Sequence, residues 1–255
     1  MNEDLAFAFE LADVADSLSL PRFRATDLVI ETKPDMTPVT EADRAVEQAL
    51  RDLIARQRPS DGVVGEEFGA EGAQAARWII DPIDGTKNYV RGIPVWGTLI
   101  ALERGGQIQV GVVSAPALGR RWWAARGEGA YADEHPVRVS EVGRLEDAQF
   151  LFGGLKGWKK TGFLDDVLAL ALRCWRARGF GDFWMHMLVA EGSAEIAAEP
   201  EVSLWDLAAV KLIVEEAGGR FTDLSGRATP SGGSAVSTNG LLHDEVLAIL
   251  TGSET

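Results

Sequence analysis

Residues 78–86 read WIIDPIDGT and place two aspartates, Asp81 and Asp84, directly behind an apolar run that ends at Ile80. An Asp-Gly pair is ordinary turn chemistry, because glycine accepts a positive φ and aspartate bonds its own backbone. The surroundings are not those of a solvated turn, since a second apolar run follows over 95–102. Both runs are typical of buried strands. Two carboxylates between buried strands need neutralising partners or a metal ion.

Two further carboxylates stand at the ends of predicted elements: Glu66 follows Val-Val-Gly, and Asp206 follows Leu-Trp. Hard divalent cations such as Mg²⁺ prefer oxygen ligands, together with waters and often a substrate phosphate. Carboxylates three residues apart on a tight turn that contains proline can converge on one point, and the Ile83 carbonyl can point the same way. The backbone N–H groups of Gly85 and Thr86 then form a natural phosphate cradle. Residues 81–86 therefore predict a metal site beside an anion-binding turn.

Length and charge limit the classes of function. The 255 residues suit one large domain or two intimately packed halves, and the net charge of −14 lacks the basic footprint of a nucleic-acid-binding protein. No apolar run reaches the ~18 residues that a membrane span needs, and the acidic N-terminus does not read as a signal peptide. The single cysteine, Cys174, excludes an internal disulfide and fits a reducing compartment. We expect a cytoplasmic protein without nucleic-acid or membrane partners.

The predicted elements are helices first, then a strand-rich middle, then an alternating half. Hydrophobic periodicity predicts helices over 4–20, 42–56, 165–174, 182–191, 204–217 and 241–250. Strands are predicted over 62–65, 77–81, 95–103, 107–115, 120–125, 129–132, 150–152, 175–180, 194–198, 220–222 and 235–237. The middle reads as an antiparallel meander. We expect one domain over 1–255, with an N-terminal αβ half (1–147) that carries the antiparallel sheet and a C-terminal αβ half (148–255).

Four motifs in order resemble those of the inositol monophosphatase superfamily. They are TPVTEAD at 37–43, GEE at 65–67, WIIDPIDGT at 78–86, and WD at 205–206 followed by EEAGG at 215–219. The resemblance covers about 7–250, nearly the whole chain. It implies a layered αβαβα sandwich of the inositol monophosphatase and fructose-1,6-bisphosphatase type, in the α+β or α/β class. It also implies a Mg²⁺-dependent phosphomonoesterase whose substrate is a small phosphate ester and which is often a homodimer.

The resemblance further implies a role for each matching residue. Those that would hold Mg²⁺ are Glu66, Asp81, Asp84, Asp206 and the Ile83 carbonyl. Two or three ions would bind per site, with Mn²⁺ as a possible substitute. Glu67 competes with Glu66 for the same role, and the family pattern favours Glu66.

The catalytic residues would be Thr86, Asp43 and Glu66. Thr86 would bind and orient the attacking water, while Asp43 accepts a hydrogen bond from the Thr86 hydroxyl. Asp84 and the N–H groups of Gly85 and Thr86 would contact the substrate phosphate. Lys33, near the first motif, would contact waters of the outer metal. Asp43 could instead be only a charge at a helix N-terminus, and Lys33 a solvated lysine.

The residues around the leaving alcohol determine which phosphate ester is the substrate. Asp182 stands where inositol phosphatases usually carry a small neutral residue, and Glu199, seven residues before Asp206, matches a position that contacts the substrate alcohol. Two carboxylates and Trp96 around one pocket suit an amine and an imidazole better than a ring of hydroxyls. This pattern resembles the histidinol-phosphate phosphatase branch. Asp182 could instead cap a helix, and Trp96 could pack beneath the site.

Other interpretations stay open from sequence alone. An inositol-1-phosphate phosphatase, or a broad phosphatase for sugar or nucleotide phosphates, would share the same motifs. A catalytically silent binding subunit would have lost a metal carboxylate or the Thr86–Asp43 pair, and this chain keeps them all. The basic segment 155–160 reads as a loop that either closes over a neighbouring site or lies exposed. Three isolated histidines, at 135, 186 and 243, are assigned to no metal.

Overall fold

The computed structural model describes residues 2–33, 37–73 and 75–252. Within these ranges the helices are α1 (Glu3–Arg22), α2 (Glu41–Gln57), α3 (Thr86–Val90), α4 (Leu155–Thr161), α5 (Leu164–Arg173), α6 (Asp182–Ala190), α7 (Leu204–Glu216) and α8 (His243–Leu250). The strands are β1 (Ile30–Thr32), β2 (Pro38–Thr40), β3 (Gly62–Gly65), β4 (Gly69–Glu71), β5 (Ala76–Asp84), β6 (Gly97–Arg104), β7 (Gln107–Ala115), β8 (Arg120–Ala125), β9 (Ala130–Ala132), β10 (His135–Val137), β11 (Gln149–Phe152), β12 (Arg176–Arg178), β13 (Ile196–Glu199), β14 (Arg220–Thr222) and β15 (Ala235–Thr238).

Eight of the described strands form the first sheet, in the order β10-β9-β8-β7-β6-β5-β3-β4. Neighbouring strands are antiparallel except β3 and β5, which are parallel. The central strands are buried on both faces: along β5, Trp78 and Ile80 belong to one core and Ile79 to the other. Because side chains alternate along a strand, a sheet covered on both faces needs an almost continuous apolar run. This is why the middle strands are evident from sequence.

Five more described strands form the second sheet, in the order β12-β11-β13-β15-β14. Helices α1 and α2 cover the outer face of the first sheet, α6 and α7 lie between the two sheets, and α5 and α8 pack on the outer face of the second. The result is the five-layer αβαβα sandwich that the resemblance implies, and the predicted fold class is confirmed. None of the described helices combines the length and apolar character that a membrane crossing requires.

Several predicted elements differ in detail from the structure. The first helix continues through Pro21 to Arg22, whereas we predicted its end near the proline. The hairpin of β1 and β2 was not predicted, because β1 is exposed and carries no apolar alternation. The basic segment 155–160 is helical rather than a loop: it lies in α4, whose Trp158 is fully buried. That one apolar anchor holds an otherwise lysine-rich turn against the second sheet.

Candidate active site

The carboxyl end of β5 brings three aspartates together. The pairing of β5 with β6 shifts register between Asp81 and Asp84, so the regular strand is interrupted where the Pro-Ile pair lies. Asp206, in the first turn of α7, reaches the same point, and one oxygen of each carboxylate lies within 4.8 Å of the others. Asp81 is 2% exposed and Asp84 is 8% exposed. The convergence predicted from the sequence is therefore present, with two of its members almost fully buried.

Each of these carboxylates is oriented by a backbone N–H group. Ile83 N donates to Asp81 Oδ1 at 3.0 Å, and Phe183 N donates to Asp84 Oδ2 at 2.6 Å. Asp206 Oδ2 accepts from the backbone N–H of its own helix cap, residue 203, at 2.7 Å. Across the part of the chain that the structure describes, no lysine, arginine or histidine forms an ion pair with any of the three. The remaining oxygens face a cavity that Lys87 also lines, but among the described residues Lys87 forms no ion pair with these three carboxylates.

Burial and mutual repulsion raise the pKa values of these groups. Burial, followed by the charges of Glu66, Asp84 and Asp206, raises the pKa of Asp81 well above its ordinary value. Burial, followed by the charges of Asp182 and Asp206, does the same to Asp84. Burial also raises the pKa of Asp206 to about 7. A cluster of buried oxygens that is this costly to ionise, and that lacks cationic partners, fits a hard divalent cation as the missing counter-charge.

Glu66 completes the acidic wall and is paired with Lys33. Its side chain lines the same cavity of about 230 Å³ as the three aspartates, whereas that of Glu67 does not. Lys33 Nζ donates to Glu66 Oε1 at 2.8 Å and to Glu67 Oε1 at 2.6 Å. Burial alone would lower the pKa of Lys33, but these two carboxylates outweigh it and raise the pKa. The geometry thus agrees with the choice of Glu66 over Glu67, and it shows that Lys33 is not a solvated lysine.

Thr86 connects this cavity to Asp43. The Thr86 hydroxyl lies 2.9 Å from the Ile83 carbonyl and 3.2 Å from Asp43 Oδ1, so its hydrogen is directed into the protein. Asp43 is fully buried and forms a capping box with Thr40 at the start of α2, so it caps the helix as well as contacting Thr86. Gly85 precedes α3 with φ of 80°, a conformation that favours glycine. These contacts fix the turn that carries the predicted phosphate cradle.

A second, larger cavity of about 790 Å³ adjoins the first. The two share Asp84, Lys87, Asp182 and Asp206 as lining residues. Glu199 lines only the second cavity. Burial and the charge of Glu199 raise the pKa of Asp182 to about 6. The two carboxylates predicted to select the leaving group therefore lie next to each other, beside the cluster of Asp81, Asp84 and Asp206.

The structure contradicts the helix-cap alternative for Asp182 and the position in the pocket that was predicted for Trp96. Asp182 does not cap its helix: Gly181 is the N-cap, and Asp182 is the first helical residue, with φ of 58°. Its Oδ2 instead accepts from Asn88 Nδ2 at 3.2 Å. Trp96 does not line either cavity; it is fully buried and packs edge-on against Tyr89, with ring centroids 4.8 Å apart. Trp96 therefore packs beneath the site, the alternative that the sequence left open.

His186, which lines the second cavity, was assigned no role from the sequence. His186 follows Asp182 by four residues on α6, a spacing that places both side chains on one helix face. That spacing was the available signal, and it was missed because His186 was assessed only as a metal ligand. Lys156 of α4 lines the same cavity, so the basic segment adjoins the site rather than lying wholly apart from it.

Replacement of Asp206 by asparagine is expected to stabilise the metal-free protein more at pH 8 than at pH 5. The pKa of this carboxyl is 3.8 in the unfolded protein and about 7 in the folded protein. Between these two pH values the unfolded state releases the proton and the folded state keeps it, so the folded protein becomes less stable as the pH increases. Asparagine keeps the acceptor for the backbone of residue 203 and carries no charge. With a chelator present, we expect a gain of about 2 kcal/mol at pH 8, or roughly 4–8 °C in Tm. An equal or smaller gain at pH 8 than at pH 5 would contradict this.

Comparisons with known proteins agree with the fold and identify the family. The sequence profile of the inositol monophosphatase family matches residues 1–254. A protein of Mycobacterium tuberculosis named histidinol-phosphatase is 57% identical, over 98% of each chain. Another of that name, from Streptomyces coelicolor, is 55% identical over 97% of each. The crystal structure of the extragenic suppressor protein suhB from Bartonella henselae superposes with a TM-score of 0.91, at 28% identity, over 99% of this chain and all of that one. This chain belongs to the inositol monophosphatase family.

Proposed function

We propose that this protein is a Mg²⁺-dependent phosphatase that hydrolyses L-histidinol phosphate to L-histidinol and phosphate. The observation that carries the choice of substrate is the pair Asp182 and Glu199 in the cavity that adjoins the acidic cluster. The two relatives named histidinol-phosphatase support it at more than half identity over nearly their full lengths. In histidine biosynthesis this reaction would remove the phosphate from the amino alcohol.

The metal ligands would be Glu66, Asp81, Asp84, Asp206 and the Ile83 carbonyl. All of them line the smaller cavity, and their donor atoms are oxygens, the ligands that Mg²⁺ and its substitute Mn²⁺ prefer. Bound there, two or three such ions would lower the pKa of water and neutralise charge on the phosphate oxygens. Lys33, held by Glu66 and Glu67, would reach the waters at the outer edge of this group.

Thr86 would orient the attacking water. Since its hydroxyl hydrogen is directed to the Ile83 carbonyl or to Asp43, the oxygen faces the cavity only as an acceptor. A water that donates one hydrogen to Thr86 then keeps a lone pair free for the phosphorus atom. The backbone N–H groups of Gly85 and Thr86 would hold the phosphate oxygens while the bond to the alcohol oxygen breaks. In-line attack of this kind needs no covalent enzyme intermediate.

The leaving alcohol would occupy the larger cavity. Histidinol carries an ammonium group next to the alcohol carbon, and Asp182 and Glu199 are acceptors placed for it beside Asp84. The charge of Lys87 lowers the pKa of Asp182, in opposition to its burial. A neutral polyol such as inositol would add no cation to this pair of adjacent carboxylates beyond the nearby charge of Lys87, whereas an ammonium group would offset more of their desolvation cost.

Phosphate release tests the proposal directly. With Mg²⁺ present, L-histidinol phosphate and myo-inositol 1-phosphate are compared at matched concentrations. We expect kcat/KM to favour histidinol phosphate by at least about 100-fold, since leaving two partly buried carboxylates without an ammonium group costs about 3 kcal/mol. A preference for the inositol ester would be compatible with the proposed metal ligands. It would contradict the role of Asp182 and Glu199 as contacts for an ammonium group and would favour the inositol-phosphatase alternative.

Asp182→Asn is expected to lower kcat/KM for histidinol phosphate by about tenfold, because one charge-assisted hydrogen bond to the ammonium is lost. The acceptor for Asn88 remains, so the helix start is retained. Hydrolysis of a phosphate ester without an amine should change by less than about threefold. Equal losses on both esters would mean that Asp182 acts on the metal cluster rather than on the leaving group.

Assembly and location stay predictions. A homodimer is supported by two large apolar side chains at the end of α5 and just beyond it, Leu172 and Trp175, which are 88% and 67% exposed. Sedimentation of the purified protein would decide between monomer and dimer. We likewise expect the enzyme to act in the cytoplasm, without a membrane or nucleic-acid partner.

A further inference from the structure

His186 is a buried side chain with one unused polar atom at the wall of the larger cavity. Its ring is 1% exposed and lines that cavity. Nδ1 lies 2.7 Å from Ser237 Oγ, whereas Nε2 has no hydrogen-bond partner among the described residues. The nearest charged group to Nε2 is Glu199, with Oε2 at 3.8 Å. A buried polar group without a partner is destabilising in the folded protein.

The other buried histidine shows what a purely structural one looks like. His243 Nε2 lies 3.0 Å from Thr222 Oγ1, and its Nδ1 lies 3.0 Å from Thr238 Oγ1. Both ring nitrogens are satisfied, and burial lowers the pKa of His243 to about 4, which keeps it neutral. Only one ring nitrogen of His186 has a hydrogen-bond partner, and the second nitrogen faces Glu199 at the larger cavity. The two histidines therefore differ in role: the surroundings of His243 account for both of its ring nitrogens, whereas those of His186 do not.

Neighbouring groups on two sides limit where the carboxylate of Glu199 can lie. Oε1 lies 3.4 Å from the backbone N–H of Asp182, and Oε2 faces His186. A Cβ atom at Gly153 would lie 2.7 Å from Oε1, so a glycine at this position leaves enough space for the Glu199 carboxylate. One side of Glu199 is thus bounded by Gly153 and the start of α6, and the other by the imidazole.

Chemistry assigns the imidazole tautomer. A carboxylate only accepts hydrogen bonds, so the nitrogen that faces Glu199 is the one that carries hydrogen. Nδ1 then accepts from the Ser237 hydroxyl, which is fully buried and makes its described hydrogen bond to this histidine. The distance of 3.8 Å between Nε2 and Oε2 is about 0.8 Å longer than a hydrogen bond, so a small rotation of Glu199 would bring the two atoms together.

We propose that His186 is a positioning residue for substrate selection: with Nδ1 held by Ser237, its Nε2–H orients the Glu199 carboxylate toward the ammonium group of the leaving alcohol. This inference rests on the proposed function, because it assumes that Glu199 receives an ammonium. His186 acts through Glu199 and does not touch the phosphate. Its loss should therefore weaken the binding of an ammonium-bearing ester and leave the metal chemistry unchanged.

The test uses a matched pair of variants. In His186→Gln the amide nitrogen lies about where Nε2 lies, whereas His186→Asn keeps only a group near Nδ1, toward Ser237. The substrates are histidinol phosphate and its analogue without the amino group, 3-(imidazol-4-yl)propyl phosphate. We expect His186→Asn to lower kcat/KM about tenfold on histidinol phosphate, mainly through KM, and less than about threefold on the analogue. His186→Gln should restore most of the loss. Equal losses on the two esters, or no loss on either, would overturn the proposal.

A double-mutant cycle with Glu199→Gln separates this inference from the proposed function. If His186 acts through Glu199, adding His186→Asn to Glu199→Gln should produce less than about a twofold further change. The cycle is measured on whichever ester the wild-type enzyme hydrolyses best. If that ester is not histidinol phosphate, the proposed function fails, while the cycle still tests the coupling. Independent, multiplicative losses would overturn the role of His186 in either case.

Discussion

Asp84→Asn is expected to lower kcat for phosphate release by about 10³-fold or more. Asp84 lines both cavities and is 8% exposed, so it lies between the proposed metal ions and the leaving alcohol. Asparagine has almost the same volume and keeps an oxygen for the Phe183 N–H, now 2.6 Å from Asp84 Oδ2. The fold and the start of α6 should therefore be retained, and one negative charge is removed from the cluster of proposed metal ligands.

Three measurements decide this prediction. Circular dichroism and Tm should match the wild type or exceed it, because burial and neighbouring charges raise the pKa of Asp84 and make its ionised form costly. Asp147→Asn, an aspartate that is 65% exposed, is the matched control and should keep wild-type activity. Raising the Mg²⁺ concentration should not restore kcat. Activity within about tenfold of the wild type would mean that Asp84 is not a metal ligand.

How far the fold was predictable depends on what each element buries. The strands β5, β6 and β7 are covered on both faces, so their apolar runs identify them without any tertiary information. The exposed strand β1 has no such run, and α4 buries little besides Trp158. For these two elements the structure is decided by neighbours distant in sequence, which a pattern in the local sequence does not contain.

The site shows the same division. Asp81, Asp84 and the Gly85 turn are close in sequence, so their convergence follows from the local geometry of one bulged strand end. Asp206 reaches them from the far half of the chain; its position at the end of a predicted element made it a candidate, and the resemblance to a family implied that it shares their site. Trp96 illustrates the limit: a strand's alternation identifies two faces, but not which one borders a cavity. The side chain faces the core under the site, whereas an unpredicted histidine lines the cavity.

Glu47→Ala is expected to reduce the free energy of unfolding by about 3–5 kcal/mol. The Glu47 carboxylate is 0% exposed and accepts from Glu67 N at 2.7 Å and from Phe68 N at 3.1 Å. Arg51, one turn later on α2, donates to the same carboxylate at 2.9 Å. A Cβ atom at Gly65 would lie 2.1 Å from Glu47 Oε1, so the glycine permits this close approach. Alanine would leave the Nε–H of the buried Arg51 guanidinium and two part-buried backbone amides without this acceptor, although Arg51 would keep its contact with the Gly69 carbonyl.

Chemical denaturation of three variants checks the argument. Glu47→Gln keeps one acceptor and should lose less than Glu47→Ala. Asp244→Ala removes an ion pair to Arg220 at a carboxylate that is 84% exposed, and should change stability by less than about 1 kcal/mol. Because Glu47 fixes the segment that carries Glu66, Glu47→Gln should also raise the Mg²⁺ concentration needed for half-maximal activity. If Glu47→Ala were no more destabilising than Asp244→Ala, the Glu66 segment would have to be held by Lys33 and the β3 pairing alone.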